Sequence, residues 1–99
     1  MTPDEAKTLL RGEDRIKATI LLECVGLTEK ERMVLKLRHF EGLTQQETIE
    51  RIPYLYANIL KIPLETSLER HTYSLNSIQN WEHSGLKKCA KCWGKLGIK

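Results

Sequence analysis

Two groups of side chains toward the C-terminal end have types and spacings suited to chemistry. The first is Cys89-Ala90-Lys91-Cys92, with His83 shortly before it. A CxxC pair can donate two thiolates to a metal, but a structural zinc site needs four ligands. His83 offers a third, and the remaining cysteine is Cys24. On a continuous helix Cys89 and Cys92 share one face, so core packing is the expected role, with no metal and no cofactor. A thioredoxin-like redox motif needs a βαβ setting, and strand signals are few. With three cysteines, an odd number, reduced thiols in a cytoplasm are expected rather than a disulfide scaffold.

The second group is Asn76, Ser77, Gln79, Asn80 and His83, followed by Lys87, Lys88 and Lys91. Asn and Gln side chains pair bidentately with adenine edges in the major groove, and lysines attract phosphate. The net charge is only +3, yet Ser84 to Lys99 holds five lysines and no acid. The eleven basic residues before that point are outnumbered by thirteen acidic ones. A local basic cluster on a near-neutral chain is what a polyanion contact requires. The alternative is a solvated face that serves solubility alone.

These residues need helices to position them. Thr2-Pro3-Asp4-Glu5 has a capping hydroxyl, proline at the first helical position and glutamate three after the cap, which predicts a helix to about Leu10. A second stretch from Asp14 places Ile16, Ile20 and Cys24 on one expected apolar face, with Gly26 as its stop. Thr28 and Glu31 have capping-box spacing with Leu27 as staple, and Val34, Leu37 and Phe40 make the stripe that follows. Gly42 fits the left-handed position past a helix end. A second box, Thr44 to Glu47, opens a short helix that Pro53 is expected to end near Ile52. Two capped helices joined by Gly42-Leu43-Thr44 form a helix-turn-helix-like corner.

Residues 53–73 are ambiguous: 54–62 reads as strand or helical turn, and Leu64 to His71 as a short helix. Tyr54 and Tyr56 are expected to cover the core. His39 and His71 have no partners that suggest catalysis. Ser74 caps a last helix over Leu75 to about Trp93, in which Trp81 and Trp93 are core residues, Gly85 is a weak point, and Gly94 and Gly97 end the order.

Ninety-nine residues suffice for one small all-α domain. It divides into N-terminal helices (1–26), a first corner helix pair (27–52), an intervening segment (53–73), a last helix (74–93) and a basic tail (94–99). No apolar run approaches the roughly 20 residues of a membrane span, and the acidic N-terminus is not a secretory signal. No nucleophile–base pair, carboxylate pair or phosphate-cradling glycine loop supports an enzyme.

The stretch Leu27-Thr28-Glu29-Lys30-Glu31-Arg32-Met33-Val34-Leu35-Lys36-Leu37-Arg38-His39-Phe40-Glu41-Gly42-Leu43-Thr44-Gln45-Gln46-Glu47 resembles the start of region 4 of bacterial sigma factors. Ser74, Ile78, Trp81, Glu82 and Leu86-Lys87-Lys88-Cys89 resemble that family's recognition helix. The chain departs from the pattern at Thr48, where an apolar residue is usual, at Ile49, where a small one is usual, and in the intervening 53–73. It also lacks arginines near the start of the last helix. By the resemblance, His39 would occupy the exposed end of its helix and have no role. The resemblance implies a helix-turn-helix that binds double-stranded DNA in transcription regulation. The DNA-binding residues would be the capping Ser74, a base-reading face of Asn76, Ser77, Gln79, Asn80 and His83, and Thr44, Gln45 and Gln46 on the phosphate backbone beside Lys87, Lys88 and Lys91. The small size suggests a stand-alone cytoplasmic regulator of bacterial, phage or mobile-element origin, with RNA polymerase as a further partner. The alternative is an interaction module that binds RNA polymerase or a sigma factor without reading DNA.

Overall fold

Five of the six α-helices begin where a side chain satisfies one of the first amides, and the helix that follows Pro63 has no side-chain cap. In the computed structural model, which describes residues 1–96 and the side chains of 1–93, Thr2 accepts from the Glu5 amide (3.2 Å) while Glu5 accepts from the Thr2 amide (2.9 Å). This reciprocal box opens α1 (Pro3–Arg11). Asp14 caps α2 (Arg15–Leu22) through the Lys17 amide. Thr28 and Glu31 form the same box at α3 (Glu29–Leu35), and Thr44 and Glu47 form it at α4 (Gln45–Leu60). After α5 (Leu64–His71), Ser74 accepts from the Ser77 amide (3.2 Å) and starts α6 (Leu75–Leu96). No strand occurs among the described residues. The protein is a small all-α domain, as the capping signals require.

Several expected boundaries are corrected. Pro53 does not end α4, which runs on to Leu60. Proline costs this helix one backbone hydrogen bond, but Ile52, Pro53 and Tyr56 all lie in the core, and the Ser67 hydroxyl of α5 donates to the Pro53 carbonyl. Burial of that face carries the helix through. α4 stops where Lys61 turns left-handed (φ 54°), and the Ile62 amide closes back on the Ala57 carbonyl (3.1 Å). Residues 53–73 are therefore the second half of α4 and α5 packed against it, with no strand. Gly85 and Gly94 both lie within α6, whereas Gly97 is outside the described residues. A Cβ at Gly85 would come within 2.9 Å of Leu35 Cδ1, so glycine here sets how closely α3 approaches α6.

α3 also departs from a plain helix. It continues into a π-helical turn over Lys36–Phe40, where the Glu41 amide reaches the Lys36 carbonyl (2.8 Å). Gly42 (φ 77°) then reverses the chain, as its position past the helix end predicts.

The core has two lobes. Ala6, Leu10, Ala18, Leu21, Leu22, Leu27, Leu35, Leu86, Cys89 and Trp93 fill one. Val34, Leu37, Ile52, Tyr56 and Ile78 fill the other, flanked by Ile49, Tyr73 and Trp81. α3 and α6 contribute to both, so α6 is the spine that joins α1 and α2 to the corner. The buried face of α2 is Ala18, Leu21 and Leu22; Ile16 is 75 % exposed, against the expected pattern. A shared spacing could not say which of two overlapping stripes the neighbours would cover. Thr48, unusual at an apolar position, is fully buried, and its hydroxyl donates to the Thr44 carbonyl (2.8 Å), which removes the cost of burying it.

The cysteines are not three reduced thiols. Cys24 and Cys92 form a disulfide across 68 residues of sequence, their Cα atoms 6.3 Å apart. Only Cys89 packs as a core thiol, donating to the Leu21 carbonyl. An odd count disfavours a scaffold of bridges but does not forbid one bridge between residues that folding brings together.

Candidate nucleic-acid interface

At 100° per residue, Asn76, Asn80, His83, Lys87 and Lys91 fall within about 80° of one another around α6. All five are exposed. The opposite face, with Ile78, Gly85 and Cys89, is buried. The stripe is therefore a continuous outward surface, neutral and hydrogen-bonding at its start and cationic toward its end. Ser74 is exposed and occupied as the cap, and Ser77 is half-buried beside it.

Gln79 lies to one side of the stripe, where its side-chain Nε2 comes within 3.5 Å of the side-chain Oε1 of Gln45. That contact sets the first turn of α4 beside the first turns of α6. Thr44 and Gln46 are exposed there, Gln45 half-buried. The Gln45 and Gln46 amides, as the first of the helix, have no intrahelical partner. The Glu47 carboxylate is held back on the Thr44 amide (3.0 Å), and that bond lowers its pKa.

The corner is locked by residues that the sequence reading did not single out for a site. Arg38 donates from Nε to Glu82 of α6 (2.9 Å) and from a terminal nitrogen to the Leu43 carbonyl (2.6 Å). One guanidinium thus ties the Gly42 turn to α6. His39 is buried, not exposed as expected, because the π-helical turn rotates it inward. Its Nδ1 accepts from Arg11 Nε of α1 (2.9 Å), and its Nε2 faces Glu82 at 3.4 Å. The His39 contact, with Arg38, overcomes the effect of burial and holds the Glu82 carboxyl down at about 2. The visible signal was Trp81-Glu82 itself, an acid at a half-buried helical position.

Lys88 departs from the basic stripe. It turns toward α3 and pairs with Glu31 (2.8 Å), which also accepts from the Ser84 hydroxyl. Burial alone would raise the Glu31 pKa. Hydrogen bonds from Lys88, Ser84 and Thr28 outweigh it and bring the carboxyl to about 2. Lys88 is thus tied to α3 with its side chain 42 % exposed, whereas Lys87 and Lys91 project outward from α6. His83 is exposed and brought near neither Cys24 nor the Cys89–Cys92 pair as a ligand set; no metal-binding cluster occurs among the described residues.

The aromatic residues of 53–73 divide. Tyr54 is exposed, whereas Tyr56 is buried and stacks on His71 with ring centroids 3.9 Å apart. His71 also bonds the Tyr73 hydroxyl (2.9 Å), and Tyr73 meets Trp81 of α6 edge-on at 5.0 Å. This ladder braces the start of α6 from α4 and α5. His71, given no role in advance, is a packing residue.

Residues 25–52 match the family model for Sigma-70, region 4. The chain carries a sigma region 4-like helix-turn-helix domain. The matched segment spans α3, its π-helical end, the Gly42 turn and α4 up to the residue before Pro53. It stops where α4 extends into the part of the chain that departs from the pattern. Sigma region 4 domains are non-enzymatic DNA-binding domains of transcription. No curated protein and no solved structure matches the chain. No helix among the described residues is long and apolar enough to cross a membrane.

Proposed function

We propose that this domain binds duplex DNA sequence-specifically, as a transcription regulator acting in the cytoplasm, with α6 in the major groove. The observation that carries the reading is the outward stripe of Asn76, Asn80, His83 and Lys87, set beside the open first turn of α4. A recognition helix needs three or four side chains that reach base edges from its N-terminal part. Asn76, Gln79 and Asn80 favour A·T-containing sites, each good pair discriminating by about 1–3 kcal/mol. Thr44, Gln45 and Gln46 hold a phosphate from the helix start. Lys87 and Lys91 add backbone attraction that weakens with salt.

The deciding experiment is selection from a random duplex library at near-physiological salt. An enriched motif that disappears in Asn80→Ala supports a base-reading helix. A folded protein that enriches nothing rejects it.

A second reading rests on a groove of about 290 Å³ between α3 and the second half of α4. Met33, Leu37, Leu55 and Ile59 line it, with Arg32 and Glu41 among its charged residues, and Ile59 is 59 % exposed. An apolar groove with charged edges suits a protein surface, by resemblance RNA polymerase or a sigma factor. Failure of the library selection together with capture by purified polymerase would favour it.

A further inference from the structure

At the cationic end of the stripe, a cavity of about 330 Å³ lies between the α2–α3 loop and the end of α6, lined by Cys24, Val25, Gly26, Lys88, Lys91 and Cys92. One wall is the Cys24–Cys92 disulfide. Cys24 is 5 % exposed, while Cys92 is only half-buried, so a reagent in the cavity meets Cys92 first. Lys88 is committed to Glu31, whereas Lys91 is exposed and makes no ion pair among the described residues. Val25, 96 % exposed, supplies an apolar edge. The cavity thus sets a cation beside a reachable disulfide sulfur. Thiol–disulfide exchange is governed by the attacking thiolate and by access to the sulfur.

We propose that this cavity is an exchange site for a small anionic thiol of the glutathione class, which opens and closes the Cys24–Cys92 bridge through Cys92. The thiolate attacks Cys92 Sγ. A mixed disulfide forms on Cys92, the bond to Cys24 breaks, and its electron pair leaves on Cys24, which takes up a proton from water. A second small thiolate attacks the small-molecule sulfur of the mixed disulfide and releases Cys92 as a thiolate, which is protonated in turn. Two small thiols become one disulfide, and the protein gains two electrons and two protons. The reverse sequence restores the bridge. Cys89 stays outside the cycle: it is buried, and burial first, with Glu31 second, pushes its thiol up to about 12. Opening the bridge releases the end of α6 from the α2–α3 loop.

The test uses the full chain. Peptide mapping without reductant is expected to show Cys24 linked to Cys92 and Cys89 as a thiol. Opening rates are then compared for reduced glutathione, mercaptoethanol and cysteamine at equal thiolate concentration, each normalised to its rate on a small linear disulfide. A single surface charge at this range favours the anionic over the cationic thiol by about threefold. That preference should shrink toward one in Lys91→Gln and in high salt. In Cys24→Ser, where Cys92 is a free thiol, its thiolate should attack oxidised glutathione, releasing one reduced glutathione and leaving a mixed disulfide on Cys92 that no Cys24 thiol can resolve. Three free thiols in the unreduced protein, equal normalised rates, or, in the parent chain, a mixed disulfide mapped to Cys24 would overturn the proposal. Lys91 is exposed, so its variant keeps the test open should Cys24→Ser fail to fold.

Discussion

At the scale of single residues, Glu82 concentrates the most consequence. Arg11 donates to His39 Nδ1, which leaves Nε2 as the ring nitrogen that faces Glu82. At 3.4 Å that approach is longer than an ordinary hydrogen bond, so the Arg38 ion pair at 2.9 Å is the firmer link. Glu82→Ala strands Arg38 and His39 together and is expected to cost about 2 kcal/mol or more, measured by denaturant unfolding. Glu82 and Glu31 both have folded-state pKa values near 2, below the ordinary 4.5. Depressed carboxylates stabilise the fold above the unfolded value, and that contribution is lost as pH falls. Stability should therefore decline between about pH 4.5 and pH 2, and Glu31→Gln should flatten part of that decline while lowering stability at neutral pH. A decline of unchanged size in the variant would show that Glu31 is not among its causes. On the outer face, Gln79→Ala or Asn80→Ala should reduce site preference more than total affinity, read by binding to matched and mismatched duplexes.

At the scale of elements, the caps and close approaches hold the geometry. Thr44→Ala removes one half of a capping box at the first turn of α4 and is expected to cost about 1 kcal/mol by thermal or chemical unfolding. Gly85→Ala gains about 1 kcal/mol of helix propensity but drives a methyl group against Leu35, which is fully buried and has little room to yield. The expected net result is destabilisation by about 1 kcal/mol; a stabilised variant would mean that α3 and α6 can separate freely. Much of this scale was legible in the sequence. Caps at Thr2, Asp14, Thr28, Thr44 and Ser74, and the reversal at Gly42, are local chemistry written in adjacent residues. The run of α4 through Pro53 was not legible, because it depends on α5 returning to cover that face and on Ser67 reaching the Pro53 carbonyl.

At the scale of the whole molecule, the proposed interface divides the lysines by what stands opposite them. Lys87 and Lys91 face outward, so replacing either with alanine should lower the salt slope of DNA binding by about 1. Lys88 faces Glu31, so Lys88→Ala should lower stability while leaving that slope nearly unchanged. Binding titrations at several salt concentrations, beside unfolding curves, separate the two effects. Equal slopes for Lys87→Ala and the parent would place the phosphate contacts elsewhere. The composition showed a cationic end to the chain, but not that one member of the cluster is paired with Glu31 of α3.

The sequence by itself determined the helical class, the starts of the helices, the Gly42 corner and the polar-to-basic order of residues along α6. These follow from short-range rules: capping hydroxyls, glycine at positive φ, and side-chain periodicity. Tertiary structure decided which stripe of α2 is buried, how far α4 extends, that His39 lies inside, that Lys88 meets Glu31, and that Cys24 meets Cys92. Each depends on partners from 28 to 68 residues away along the chain, or on a neighbouring helix covering one face and not another. Burial and long-range pairing belong to the packed assembly, and no window of adjacent residues contains them.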